Sequence, residues 1–436
     1  MSLEAEVAVE PGPAPSVRAG TLSFAIMQAL RVVAAFGVAA LVARQLGPAG
    51  KGALALVQQV PSIMALIMGF GFAGVNVYYV GSRRKTASEA LSDSMLITVV
   101  ALLVGVPLSF AVMRALPALS VFPSRLLWLS ALIVPVSILG SQLAGILVGQ
   151  GRPAAQASAQ SLALLANLAA VGLLYWMVRL SVLAVVAVTL AASALAAVMM
   201  LLSVKARLEW PGVLRRMRDA ASYARKRYLT EIAAMLEMRV DIVMLGVLST
   251  VAATGVYSVA VALVELLWFI PRAAETPLLS RFFHERAEEG AELVATSVRL
   301  TVLLEVFLLG AAALLLRPAV AFVFGPAFTG APLLFWILAP GVVLNGLVGP
   351  IVSYLTSRGH QFPVLSAFSV FGNIALNLAL IPPMGVAGAA LASSVTYASG
   401  SLWLVWRFRR ETGCSPVALI VPRREDLRAV FGSRLR

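Results

Sequence analysis

The chain alternates long apolar runs with short polar breaks, and the runs share one length class. They fall at 19–43, 53–80, 91–116, 125–149, 156–178 and 181–203. After a basic stretch at 204–227 they resume at 228–249, 255–280, 293–316, 332–356, 361–381 and 385–406. A helix needs about 20 residues to cross a hydrocarbon core of roughly 30 Å. Every run meets that length, and several exceed it enough to tilt. The pattern predicts an all-α integral membrane protein with about twelve transmembrane helices.

The halves of the chain look alike. LGPAGKGALALVQQV (46–60) leads into the second run as LSTVAATGVYSVAVAL (248–263) leads into the eighth. LVGQGRP (147–153) after the fourth run matches LTSRGHQ (355–361) after the tenth, with Gly151 opposite Gly359. The two offsets agree within a few positions, as an internal repeat requires. Six spans per repeat preserve orientation, so the two copies are expected to be parallel, as two six-helix lobes around a central cavity. The organisation read from this is a disordered tail at 1–18, lobes at 19–203 and 228–406, a basic connector at 204–227 and a basic tail at 407–436.

Composition agrees with a membrane protein. Of 436 residues, 60% are hydrophobic and 12% charged, with mean hydropathy +0.92. Soluble domains carry about 25% charged residues. A formal charge of +14 would point to nucleic acid in a soluble chain. Here the basic residues follow topology instead. With the N-terminus inside, twenty-four Lys and Arg lie in inside segments and six in outside ones. Both termini are therefore expected to be cytoplasmic, with anionic lipid as a contact and no nucleic-acid partner. The first eighteen residues lack the basic region of a cleaved signal peptide. A single cysteine, Cys414, excludes an intrachain disulfide, and two histidines in expected loops offer no zinc site.

The informative residues are charges inside the apolar runs, where each costs roughly 2.5–3.5 kcal/mol on insertion scales. Arg31 lies about twelve residues into the first span. Its guanidinium suits a diphosphate or acidic sugar, or else a structural Glu or helix carbonyls. The seventh span carries Glu231, Glu237, Arg239 and Asp241. Glu237 and Asp241 are four apart and share a face, with Arg239 pointing almost opposite. In the eighth span Glu265 and Arg272 share a face, and Arg272 and Glu275 form an i,i+3 pair. The expected roles are Arg31, Arg272 and Trp268 on the substrate, Glu237, Asp241 and Glu265 in ion coupling, and Arg239, Glu275 and Glu305 in support. The competing reading is a static salt-bridge network, with Trp268 as core. Glu305 is expected to pair with Arg239 or Arg299. Asn373, Asn377, Asn167, Asn345 and Gln142 read equally as interhelical hydrogen bonds or sugar contacts.

Arg31, ARQLGPAGKG (43–52), RVDIVMLGVLSTVAATGVYSVA (239–260), FGPAF (324–328) and GVAGAALA (385–392) together resemble the Wzx-like polysaccharide biosynthesis proteins. These are oligosaccharide flippases of the multidrug/oligosaccharidyl-lipid/polysaccharide exporter superfamily. The resemblance implies a MATE-like fold in the bacterial cytoplasmic membrane. It also implies alternating-access movement of undecaprenyl-pyrophosphate-linked oligosaccharide, with polymerase-pathway proteins as partners. No cofactor is expected beyond H+ or Na+ as a coupling ion, and no metal site. A cation-coupled small-molecule or drug exporter of the same superfamily is the alternative, and a facilitator-fold transporter the third. GSRRK (81–85) resembles a facilitator loop motif without its acidic position. No P-loop or nucleophile elbow is present, and no loop is long enough to carry a glycosyltransferase or polymerase site.

Overall fold

The computed structural model describes residues 17–268, 287–360, 362–423 and 426, and among them there is no strand. The first helix, α1 (Val17–Gly69), holds two spans as limbs joined at Gly47, whose φ of 64° breaks the helical path ahead of Pro48. The break expected as a loop at 44–52 is thus a kink. Then come α2 (Phe72–Gly81), α3 (Ala87–Val100) continuing through one π turn into α4 (Val106–Ala115), the short α5 (Pro117–Ser120), α6 (Ser124–Ala131), α7 (Ile133–Gly149), α8 (Pro153–Met177) and α9 (Val182–Val204). The second half has α10 (Val213–Leu248), α11 (Val251–Val264) running into a 3₁₀ turn to Trp268, α12 (Ala287–Val323), α13 (Ala331–Leu347), α14 (Gly349–Ser357), α15 (Pro363–Met384), α16 (Val386–Thr412) and α17 (Pro416–Ile420).

Nine helices among the described residues are long and apolar enough to cross a membrane. The first of them contains both limbs of α1, and α10 and α16 are spans too rich in charged or polar residues to reach that hydropathy. Counting the two limbs of α1 separately and adding α10 and α16, the described residues hold twelve helical segments of the expected order. Beside the kink at Gly47, they differ from expectation at the connector. Most of 204–227 is helical, because α10 begins at Val213 behind Gly212, whose φ is 77°. Its Arg-rich first turns are good helix formers, although their charge reads as a linker.

Helices of each half pack chiefly against one another, and the main junction between halves is the second limb of α1 against α11. Gly52 and Gly255 make that crossing possible. A Cβ on Gly52 would collide with the Val251 carbonyl oxygen, and one on Gly255 would collide with that of Pro48. The contact is reciprocal between corresponding positions of the two repeats, as a two-fold relation between them requires. At this end the guanidinium of Arg44 donates to the Val323 and Phe322 carbonyls at the end of α12. Phe36 stacks edge-on against Phe324 at 5.1 Å. ARQLGPAGKG, FGPAF and the start of α11 are thus one assembly.

At the opposite end, each half is clasped by the segment that follows its last span. Asp93, fully buried on α3, accepts from Lys85 at 2.7 Å and from Arg216 of α10 at 3.0 and 3.2 Å. Ser88 and Ser92 accept the backbone N–H groups of Arg207 and Glu209. In the second half the polarity reverses. Arg299 on α12, 1% exposed, donates to both oxygens of Asp426 at 2.7 and 2.9 Å and to the Ala418 carbonyl. The turns at Gly151 and Gly359, both in the left-handed region, also correspond. Arg152 reaches the Ser203 carbonyl and His360 reaches Glu411, at matching positions of the two repeats.

The Arg299 hydrogen bonds hold the Asp426 carboxyl below its usual range. A depressed acid contributes stability above its unfolded pKa, and that stability is lost as pH falls through the folded value. Removing one partner of a buried pair costs roughly 3–5 kcal/mol. Asp426→Asn is expected to raise amide exchange across 416–423 at least about tenfold at pH 7. The wild type should lose the same protection only below about pH 4. Equal protection in the two proteins at neutral pH would mean that the tail is not held by this pair.

Candidate functional site

Asp241 is the charged centre of the second half. It lies two turns before the end of α10, where Ser249 stops the helix, and is 2% exposed. Tyr257 from α11 donates its hydroxyl to Oδ2, and Ser393 from α16 donates to the same oxygen at 3.0 Å. The Ile242 N–H reaches Oδ1 at 2.7 Å. Three donors on one carboxylate, drawn from three helices, are a hydrogen-bond set suited to an anion. Tyr257 and Ser393 were not singled out in the sequence, since neither type nor spacing ties them to Asp241.

Glu237, one turn earlier, takes a different neighbour. Its carboxyl is hydrogen-bonded by Ser369 of α15, and its backbone carbonyl accepts from Tyr397 at 3.4 Å. The shared helix face is therefore divided between two packing partners. Arg239 pairs with Glu265 at 3.1 Å, with both side chains partly exposed. Trp268 is buried, donates its indole N–H to the Val342 carbonyl at 2.7 Å and meets Tyr397 edge-on. A gap of about 10 Å³ lies among Met238, Asp241, Glu265, Trp268, Val342 and Tyr397. That is room for about one water or a small ion. Four of the expected residues, Asp241, Glu265, Trp268 and, beside them, Arg239, thus gather in one place.

The expectation for Glu305 needs correction. Arg239 is taken by Glu265, and Arg299 by Asp426 and Glu292. Glu305 is 1% exposed, and neither carboxyl oxygen has a hydrogen-bond partner among the described residues. It packs on Gly346, where a Cβ would collide with Oε1. The pairing failed because the acid that claims Arg299 sits far along the chain, in a tail that reads as basic. Arg31 is partly buried on the first limb of α1 and is engaged by its surroundings. Arg272 and Glu275 lie outside the described residues. Among those described, no three His, Cys, Asp or Glu side chains group as metal ligands.

Residues 17–283 match the family described as polysaccharide biosynthesis protein, more than half of the chain. The chain belongs to that family. Among solved structures the fold is similar to "Lipid II flippase MurJ, inward closed conformation", with TM-score 0.78 and 14% identity over 95% of this chain and 91% of that one. It is also similar to an inward-facing multidrug resistance MATE family transporter of the MOP superfamily. There the TM-score is 0.67 at 15% identity, over 91% of this chain and 99% of that one. At such identities the likeness is one of fold. No curated protein matches the chain. A polysaccharide biosynthesis family member with this fold is a multi-pass membrane protein whose fold neighbours are flippases and transporters.

The Asp241 set predicts an order of stabilities. Asp241→Ala leaves several buried donors without an acceptor, so it should destabilise most. Tyr257→Phe removes one charge-assisted hydrogen bond, about 1.5–3 kcal/mol. Glu265→Gln breaks a partly exposed pair and should cost under about 1 kcal/mol. Thermal unfolding in detergent checks the order. A Tyr257→Phe protein as stable as wild type would remove Asp241 from the centre of the site.

Proposed function

We propose that this protein is a flippase that moves undecaprenyl-pyrophosphate-linked oligosaccharide across the bacterial cytoplasmic membrane for cell-surface polysaccharide synthesis. The observation that carries the reading is the combination of a polysaccharide biosynthesis family match with a MurJ-like fold over nearly the whole chain. In this reading both termini are cytoplasmic and the connector and tail clasps face the cytoplasm. The lobes rock against each other about the Gly52–Gly255 crossing, exposing the interior to each side in turn. Arg31 and Arg272 hold the diphosphate, and Trp268 shapes the wall behind it. Proteins of the polymer pathway receive the product outside. No hydrolytic centre is required, because the protein lowers a barrier and the gradient or product removal gives direction.

Glu237, Asp241 and Glu265 are proposed to couple H+ or Na+ to the movement. An ion and an anion that alter each other's affinity in one interior are linked thermodynamically. The alternative, a cation-coupled exporter of small molecules, is favoured by the MATE likeness and by the acids gathered beside the gap at Asp241.

Reconstituted vesicles separate these readings. Wild type is expected to flip an undecaprenyl-pyrophosphate-linked glycan, Arg31→Lys to keep part of that activity, and Arg31→Ala to lose it at equal protein level. Glu237→Gln and Asp241→Asn should lose dependence on a proton or sodium gradient more than binding. Gradient-driven efflux of a cationic dye by wild type, with no flipping of the lipid, would establish the exporter instead.

A further inference from the structure

The first half contains a larger cavity, of about 250 Å³, that the site above does not use. It lies between the second limb of α1, α7 and α9. Ligand pockets typically span about 300–1,000 Å³, so its size suits one small polar group. Five of its eight lining residues are polar, namely Gln58, Ser62, Ser137, Thr189 and Ser193, and none is ionisable. A diphosphate would need a cation there, and a cationic drug would need an acid.

Two further observations make the lining specific. First, its hydroxyl protons are largely committed. Ser62 donates to the Gln58 carbonyl at 2.7 Å, Ser193 to the Thr189 carbonyl at 2.9 Å, and Thr189 to Asn167 Oδ1 at 3.4 Å. Each hydroxyl has one proton and two lone pairs, so these groups are left as acceptors for a donor-rich ligand. The Gln58 side chain adds an amide that offers both functions. Second, the span formed by α6 and α7 loosens by one turn at Leu132, which keeps right-handed helical dihedral angles, beside the lining residue Ile133. The Ser130 hydroxyl next to this turn is buried without a partner among the described residues.

We propose that this cavity is a neutral sugar subsite, which takes the uncharged, polyhydroxylated residue next to the diphosphate of a lipid-linked glycan. The inference rests on the flippase reading and deepens it. Sugar recognition is thereby kept apart from charge recognition: Arg31 and Arg272 hold the diphosphate in the proposed function, and the hydroxyls and the Gln58 amide of this cavity take the uncharged residue. Sugar hydroxyls and an N-acetyl N–H supply the protons that the lining hydroxyls have already committed. The absence of charge lets the subsite accept different neutral sugars while a diphosphate is held elsewhere.

The test compares two defined lipids on the detergent-purified full chain: undecaprenyl pyrophosphate, and the same lipid bearing one N-acetylglucosamine. Wild type should bind the sugar-bearing lipid about tenfold or more tightly, as two or so hydrogen bonds of about 1 kcal/mol each would give. The double variant Thr189→Val, Ser193→Ala should bring the ratio of the two affinities close to one. Gln58→Leu, on another helix, reads the same ratio should the double variant fail to fold. Equal wild-type affinities, or a ratio that both variants preserve, would overturn the subsite while leaving the flippase reading in place. Failure of wild type to bind either lipid would overturn the flippase reading itself.

Discussion

The structure depends on a backbone contact between two glycines. Where the second limb of α1 crosses α11, Gly52 and Gly255 let each helix rest on a carbonyl of the other, with no room for a methyl group on either. In lipid there is no hydrophobic gain from bringing helices together, so close approach of small residues is the main source of attraction, helped by Cα–H···O contacts. The crossing is reciprocal, which makes it the place where the repeat meets itself. The Arg44 donation to the end of α12 and the Phe36–Phe324 contact also join the halves at that end.

The repeats share a scaffold but differ in chemistry. Both have a left-handed glycine turn, at Gly151 and Gly359, and both are clasped by the chain that follows their last span. The clasp has its acid on the span in one half and its base on the span in the other, so the geometry is retained while the charges are exchanged. Inside, the second half concentrates Asp241, Glu237, Glu265 and Glu305, whereas the described cavity of the first half is lined by neutral groups.

How much of this was legible in the sequence follows from the range of each interaction. The spans were, because hydropathy over the length of one helix is a local property. Gly47 read as a loop because a single kinked helix and a tight loop share the same Gly-Pro signal. The start of α10 read as a linker because its charge masks good helix propensity. That Asp241, Glu265 and Trp268 sit inside apolar runs was legible in the sequence, but that they meet, and on which partners, was not. Ser393 and Tyr257 reach Asp241 from other helices, and Asp426 reaches Arg299 from the C-terminal tail. Such pairs are fixed by how helices cross, which the period of one helix does not encode. That is also why the carboxyl groups of Glu237 and Asp241, one turn apart, take their side-chain hydrogen bonds from different helices.

The central claim is that two rigid halves pivot about the glycine crossing when the lipid-linked anion binds. Distances between spin labels test it directly, in a Cys414→Ser background with pairs at the exposed positions Ser82, Ala154 and Thr356. On adding undecaprenyl pyrophosphate in lipid nanodiscs, the Ser82–Thr356 distance, across the halves, should shift to a new population. The Ser82–Ala154 distance, within the first half, should stay fixed. A change within the half, with the distance across the halves unchanged, would contradict the account.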